Sequence, residues 1–460
     1  MKKIITISLI FLLTFFFTGC TMEVNDAEIR EIKKSPTYYF DILGENEMPI
    51  GGYIGPTASF GHDGNYCETQ ITDFHYKQMS EAGLNFTMGM KEDFNINRQN
   101  IIDSLVHAGN NGVMYFVKDS YLFDLYNGKS PISKEDFEQR IEAYNNYNAF
   151  AGLVGRDEPF GNDLALCKEV QDVFKEVFSA EESTALYFNS LSYQCPKVWL
   201  GGGTDGSISD WTLEKYLDEY FKNINGMKFY SYDLYPFVGK EDSIKPDYFK
   251  NLVLVREYAS KYNVPFFTFI QAGGNLDNDS NWRTPTEGEM LWQINTSIAF
   301  GAKGYQFFTY NTPPEFPFST LENMGLVNRY GKKTPMYYYA QKANNQIKAC
   351  DDKLMQSALE GVIVTDKSPA SIPENIILNN YYELQGVSGD ANIVGCFNYL
   401  GKTALYVVNN SLTKDKAKIS LNFDSNYSYE VIQRATSRNI SGKNITLTLA
   451  PGEGAMVILK

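Results

Sequence analysis

The stretch Arg283 to Pro314, RTPTEGEMLWQINTSIAFGAKGYQFFTYNTPP, carries a complete helix-then-strand unit, and the rest of the chain is read outward from it. Thr284, Pro285 and Glu287 make a start signal: threonine at the N-cap, proline in the first helical position, and a glutamate to close a capping box. Apolar spacing over 285–300 then follows a helical period, and 304–309 is a near-continuous apolar run. A strand apolar on both faces belongs to a sheet covered on both sides.

The same alternation recurs along the chain. Strands are predicted at 50–54, 85–89, 113–117, 151–155, 185–189, 229–232, 266–270 and 304–309. Helical patterns fall at 69–82, 98–108, 134–147, 162–178, 213–223, 246–262, 285–300 and 334–349. Eight such units predict an α/β chain, a (β/α)8 TIM barrel over 48–354. An open doubly wound sheet is the rival, but its phosphate-binding glycine turn is missing. Gly51, Gly52 and Gly55 read more simply as a strand end that lets another group come close. Over 355–460 alternating segments at 359–365, 376–384, 393–399, 403–409, 417–421, 428–432, 445–449 and 455–459 are separated by turn-rich clusters. They predict a C-terminal antiparallel β-sandwich domain that caps the barrel.

Before the barrel, Lys2 and Lys3 precede an apolar run over 4–17 that ends in Thr18-Gly19-Cys20. That is the pattern of a leader rather than of fold, and it is too short to span a bilayer. The ending FTGC resembles the bacterial lipoprotein signal. The resemblance implies removal of 1–19, fatty acylation of the Cys20 thiol, a tether over 20–47, and a place in the cell envelope as an outer-membrane or cell-surface lipoprotein.

Composition narrows the function. Of 460 residues 43% are hydrophobic and 21% charged, as in a globular protein. The net charge of -14 repels phosphate, which argues against nucleic-acid binding. Aromatics at 15% exceed what a core normally uses and suggest a stacking surface for an apolar or sugar ligand. Cys67, Cys167, Cys195, Cys350 and Cys396 show no CxxC pairing, so they read as core thiols rather than disulfides or zinc ligands. His62, His75 and His107 all precede the fourth strand, which weakens a Ser-His-Asp triad or a histidine metal site. The acidic loop 277–281 lacks EF-hand spacing, and no metal or other cofactor is called for.

In such a barrel the chemistry sits where the strands end. Strand four ends in Asp157-Glu158-Pro159, and strand six in Asp233-Leu234-Tyr235-Pro236. Proline predicts an extended Glu158, with Asp157 turned the other way to pair with Arg156 or orient substrate. A rim acid among aromatics gains a raised pKa and becomes a proton donor. Tyr53, His62, Asn189, Tyr235, Gln271, Trp282, Tyr310 and Asn311 complete the expected substrate-binding set, with Trp282 the best stacking platform.

Together the Asp-Glu-Pro step, the DLYP segment and the stretch from Gln271 to Pro314 resemble bacterial TIM-barrel glycoside hydrolases, clan A and family 42 β-galactosidases in particular. The resemblance implies a carbohydrate substrate and gives Glu158 the acid/base position. Two departures stand out. Asp157 replaces the usual asparagine, and Gln271 stands where the nucleophilic glutamate would be. Three routes stay open: Asp233 as base or charge stabiliser beside Glu158, a substrate-assisted N-acetylhexosaminidase using Asp157-Glu158, or glycan binding without cleavage.

Overall fold

The computed structural model describes residues 24–62, 65–89, 94–128, 131–178, 183–202, 210–239, 243–274, 282–312, 325–365 and 371–460. Eight parallel strands close into a barrel. They are β1 (Ile50–Tyr53), β2 (Phe86–Met88), β3 (Met114–Val117), β4 (Phe150–Asp157), β5 (Ala185–Ser190), β6 (Tyr230–Tyr232), β7 (Phe266–Gln271) and β8 (Gly304–Phe308). The ring closes where β1 pairs with both β8 and β2. Each of the eight barrel strands expected from the sequence is present, whereas the strand expected at 376–384 is not: a 3-10 turn occupies Glu374–Ile376 and the strand starts at Leu384. The helices between them bury their apolar faces against the barrel wall, as Leu213–Asn223 does with Leu213, Tyr216, Leu217, Tyr220 and Phe221.

Helix Glu287–Ala299 starts two residues later than its sequence suggests. Thr286, not Thr284, is the N-cap, and its box partner is Glu289. The buried Glu289 carboxylate also takes both Arg283 guanidinium nitrogens, at 2.6 and 2.5 Å, while Glu287 pairs outward with Lys342. A buried acid needs all these partners, so the cap settles where Glu289 can reach them.

Inside the barrel the lower layer is aromatic. Phe229 stacks on Phe267 with ring centres 4.5 Å apart, and Phe86 and Phe116 lie alongside. The N-terminal segment closes this end. Tyr38 lies 4.8 Å from the Phe229 ring and donates its hydroxyl to the Ser183 carbonyl, and Phe40 packs on Phe86 and Phe116. Residues 24–47 are therefore no free spacer, which corrects the tether expected there. Asn25 bonds to the Asn426 carbonyl, Ala27 to that of Lys460, and Arg30 to that of Gly401. The Arg30 guanidinium lies 3.4 Å over the Tyr382 ring. Apolar residues spaced along the segment (Ala27, Tyr38 and Phe40 are all buried) offset the entropy of ordering it.

The C-terminal domain is antiparallel throughout. Its strands Ser357–Val364, Leu384–Gly389, Asn392–Tyr399, Lys402–Asn409, Ala417–Gln433, Thr436–Leu449 and Gly454–Leu459 form one seven-stranded sheet. The segments predicted at 417–421 and 428–432 are one long strand. Its first half pairs with Leu384–Gly389 and its second with Gly454–Leu459, so a single sheet curls around its own core. The join to the barrel is polar and specific. Trp292 Nε1 donates to Asn410, Asn295 to the Gly452 carbonyl, and Tyr406 to Asn295. Among the described residues no helix is long and apolar enough to cross a membrane.

Phe40 is 1% exposed. Replacing it with alanine is expected to cost about 3–5 kcal/mol in chemical denaturation. An unchanged midpoint would mean that this segment is not part of the fold.

Candidate active site

At the upper mouth β4, β5 and β6 end in register, with Asp157 beside Asn189 and Ser190 beside Tyr232. Tyr53, Asp157, Glu158, Asn189, Asp233, Tyr235 and Trp282 line one cavity of 590 Å³ there. All belong to the set expected from sequence. Gln194, Cys195, Pro196, Trp199, Lys245, Phe269 and Phe308 complete the lining, and the sequence pattern did not point to them.

Glu158 is not extended. Its φ of 46° is left-handed, although proline follows it. Such a backbone is costly for a residue with a Cβ, and it clusters where function needs it. The Glu158 amide still pairs with the Asn189 carbonyl, so the strand ladder runs up to the turn. The consequence corrects the expected geometry: the Asp157 and Glu158 carboxylates line the same cavity. Asp157 accepts a 2.6 Å hydrogen bond from the Tyr53 hydroxyl, whereas Arg156 turns away to Asp163 at 3.2 Å.

Asp233 lies at the end of a chain of donors. Gln306 donates to both the Tyr187 and Ser231 hydroxyls. The Ser231 proton goes to Asn189 Oδ1 at 3.0 Å, which leaves the Asn189 amino group to donate to Asp233 Oδ1 at 3.0 Å. Gln194 is oriented in the same way. Its Oε1 accepts from the Tyr235 amide and from Lys245 Nζ, each at 3.1 Å, so its amino group faces Asp233 Oδ2 at 2.7 Å. The Gln194 amide cannot flip without losing both partners. Two amide donors favour the carboxylate form of Asp233.

Glu158 has the opposite surroundings. Burial, then the Asp233 and Asp157 charges, raise its pKa well above the ordinary carboxylate range, and it hydrogen-bonds Asp233. Burial and Asp157 raise Asp233 too, but Asn189 and Glu158 oppose the shift. Of the two, Glu158 is the carboxyl whose surroundings favour the protonated form. The Cys195 thiol is 3.7 Å from Glu158 Oε1, so this cysteine is half-buried at the site rather than a core thiol. Burial pushes its pKa up and keeps it a thiol.

Three expected residues stand apart from the cavity. The Gln271 amide is consumed by the loop around it, accepting from the Phe237 amide and donating to the carbonyls of Phe237 and Arg283. It is a brace for the 237 and 283 segments. Asn311 donates to Gln70 and Thr57, and Tyr310 is buried between β1 and helix Asp73–Glu81 with its hydroxyl toward the His75 carbonyl. The β8 strand simply ends at Phe308, before either residue could face inward. The His62 side chain, Asp63, the 277–281 loop and Cys20 lie outside the described residues. Among the described residues no group of three or more His, Cys, Asp or Glu is arranged to hold a metal ion.

No family model matches the chain, and no curated protein matches its sequence. Solved structures do match. A glycoside hydrolase aligns over 90% of this chain and 92% of its own, at 11% identity and a TM-score of 0.52. The β-galactosidase from Bacillus circulans sp. alkalophilus aligns over 90% and 99%, at 10% identity and 0.51. The chain shares the fold of these glycoside hydrolases. A β-galactosidase from the psychrophilic Marinomonas ef1 aligns over 68% of this chain at 11% identity and 0.45, and the chain spans only 63% of that enzyme's length.

The proton on Glu158 has a thermodynamic signature. An unfolded glutamate ionises near 4.5, whereas the folded one keeps its proton to higher pH. The native state therefore binds more protons in that window, and its stability falls as pH rises from 4.5 through the folded pKa. Glu158→Gln removes the penalty. Its denaturation midpoint is expected to gain on wild type as pH goes from 5 to 8; a gap independent of pH would contradict the raised pKa.

Proposed function

We propose that this protein is a glycoside hydrolase that cleaves O-glycosidic bonds of oligo- or polysaccharides, with Glu158 as general acid and Asp233 as its partner carboxylate. The observation that carries this reading is the meeting of Glu158 with Asp233, whose two oxygens take the Asn189 and Gln194 amides, in one cavity walled by Tyr235, Trp282 and Phe308. The aromatic rings offer apolar faces to sugar C–H groups, and the amides of Asn189 and Gln194 offer polar edges. Glu158 passes its proton to the leaving oxygen as the bond from that oxygen to the anomeric carbon breaks. Asp233 takes a proton from the water whose oxygen forms the new bond, so one water is consumed and two hydroxyls result. Inversion calls for carboxyls about 6.5–9.5 Å apart where retention calls for about 5–5.5 Å, so this mechanism requires the hydrogen-bonded pair to part when sugar binds.

One observation favours a second reading. Tyr53 holds Asp157 in the same cavity as Glu158, where it can orient a substrate acetamido group that attacks the anomeric carbon in place of a protein nucleophile. Substrates with and without a 2-acetamido group separate the two. Cys20 acylation would anchor the protein to the cell envelope. Five residues span at most about 18 Å, so the lipid would hold the C-terminal sheet, where Asn25 bonds to Asn426, close to the membrane.

On oligosaccharides Glu158→Gln is expected to lose about 10²–10⁴-fold in kcat, and much less on aryl glycosides whose leaving groups need no proton. Full activity of the variant would remove Glu158 from the mechanism. Glycan binding by wild type with no turnover would leave a glycan-binding protein on a glycosidase fold.

A further inference from the structure

A second cavity, of 360 Å³, lies on the other side of Glu158, and the proposed hydrolysis gives it no role. It shares Asp157, Glu158 and Trp199 with the first, and is walled further by Phe123, Asn127 and Phe160. Asp233 borders only the first cavity. The acid must stand at the oxygen joining two groups, and its partner carboxylate must stand at the ring that loses that oxygen. With Asp233 on one side, the group that keeps the oxygen has to lie on the other.

That side holds a ready stacking surface. Trp199 and Phe160 stack with ring centres 5.3 Å apart and planes 27° from parallel, and both rings are partly exposed. Phe123, at 54% exposed, flanks the same cavity. The platform is braced from below. Trp199 lies in the short helix Lys197–Gly201, which presses against the turn that follows Glu158 and Pro159. A Cβ at Gly161 would fall 2.2 Å from the Leu200 carbonyl oxygen, so only glycine allows this approach. Asn162 ties the turn to the Gly202 carbonyl at 2.9 Å, and Tyr216 ties down the Pro159 carbonyl at 2.8 Å. The segment that fixes the Glu158 backbone thus also carries Phe160 and seats Trp199.

We propose that the leaving-group ring is a sugar seated on Trp199 and Phe160 in this second cavity, which makes Trp199 a specificity-determining residue. The inference rests on the glycoside hydrolase reading. It names the substrate class as a glycan with a pyranose on each side of the cleaved bond, rather than a glycoside of a small alcohol.

The test compares oligosaccharides with glycosyl fluorides, whose leaving group is too small to reach the platform. Trp199→Ala is expected to lose about tenfold more kcat/KM on the oligosaccharide than on the fluoride, with Trp199→Phe recovering much of the difference. Equal losses on both substrates would overturn the proposal. Calorimetric titration of the Glu158→Gln protein, with and without Trp199→Ala, adds a readout independent of turnover. Weaker oligosaccharide binding in the double variant supports the platform even if wild type cleaves nothing, an outcome that would sink the hydrolase reading alone. Unchanged affinity overturns the platform itself.

Discussion

Asp233 receives hydrogen bonds from the amides of Asn189 and Gln194, and the chemistry proposed for this protein depends on those two contacts. The chain of donors starts far from the cavity. Gln306 donates hydrogen bonds to the Tyr187 and Ser231 hydroxyls, Ser231 donates to Asn189 Oδ1, and Asn189 presents its amino group to Asp233. Lys245 and the Tyr235 amide do the same for Gln194. A charge-assisted hydrogen bond is worth about 1.5–3 kcal/mol, enough for two of them to decide which of two neighbouring carboxyls favours the protonated form. Two acids of similar intrinsic strength thereby acquire different roles.

Those donors reach Asp233 because the barrel is closed. Gln306 on β8 meets Tyr187 on β5 across the interior, which an open sheet would not allow. The aromatic layer beneath, closed by Tyr38 and Phe40 from the N-terminal segment, backs the polar layer. At the rim, the left-handed backbone of Glu158 turns two consecutive carboxylates into one cavity. The strain is held by neighbours on both sides, the Asn189 carbonyl before the turn and Tyr216 after it.

The eight strands were legible because buried parallel strands are short apolar runs between amphipathic helices, a pattern that tolerates little else. The rim positions of Glu158, Asp233, Asn189 and Tyr53 followed from where those runs stop. Hydrogen-bond choices were not legible. Gln271 ends its strand as an active-site residue would, but its amide braces a loop, and no local pattern distinguishes the two. The preference of a residue before proline for extended backbone gave the wrong geometry at Glu158, where tertiary contacts override it. Gln194, Cys195, Trp199 and Lys245 come from loops whose path no periodicity describes. In the C-terminal domain period-two alternation marked most strands, but it could not show that two of them were one strand bending between partners.

The most direct test of this account is a carboxyl 13C NMR titration of the protein, with the Glu158 signal assigned by its loss in Glu158→Gln. Glu158 is expected to titrate well above 4.5, and Asp233→Asn to move it down toward the ordinary range. A Glu158 that titrates near 4.5 in wild type, or that ignores Asp233→Asn, would contradict it.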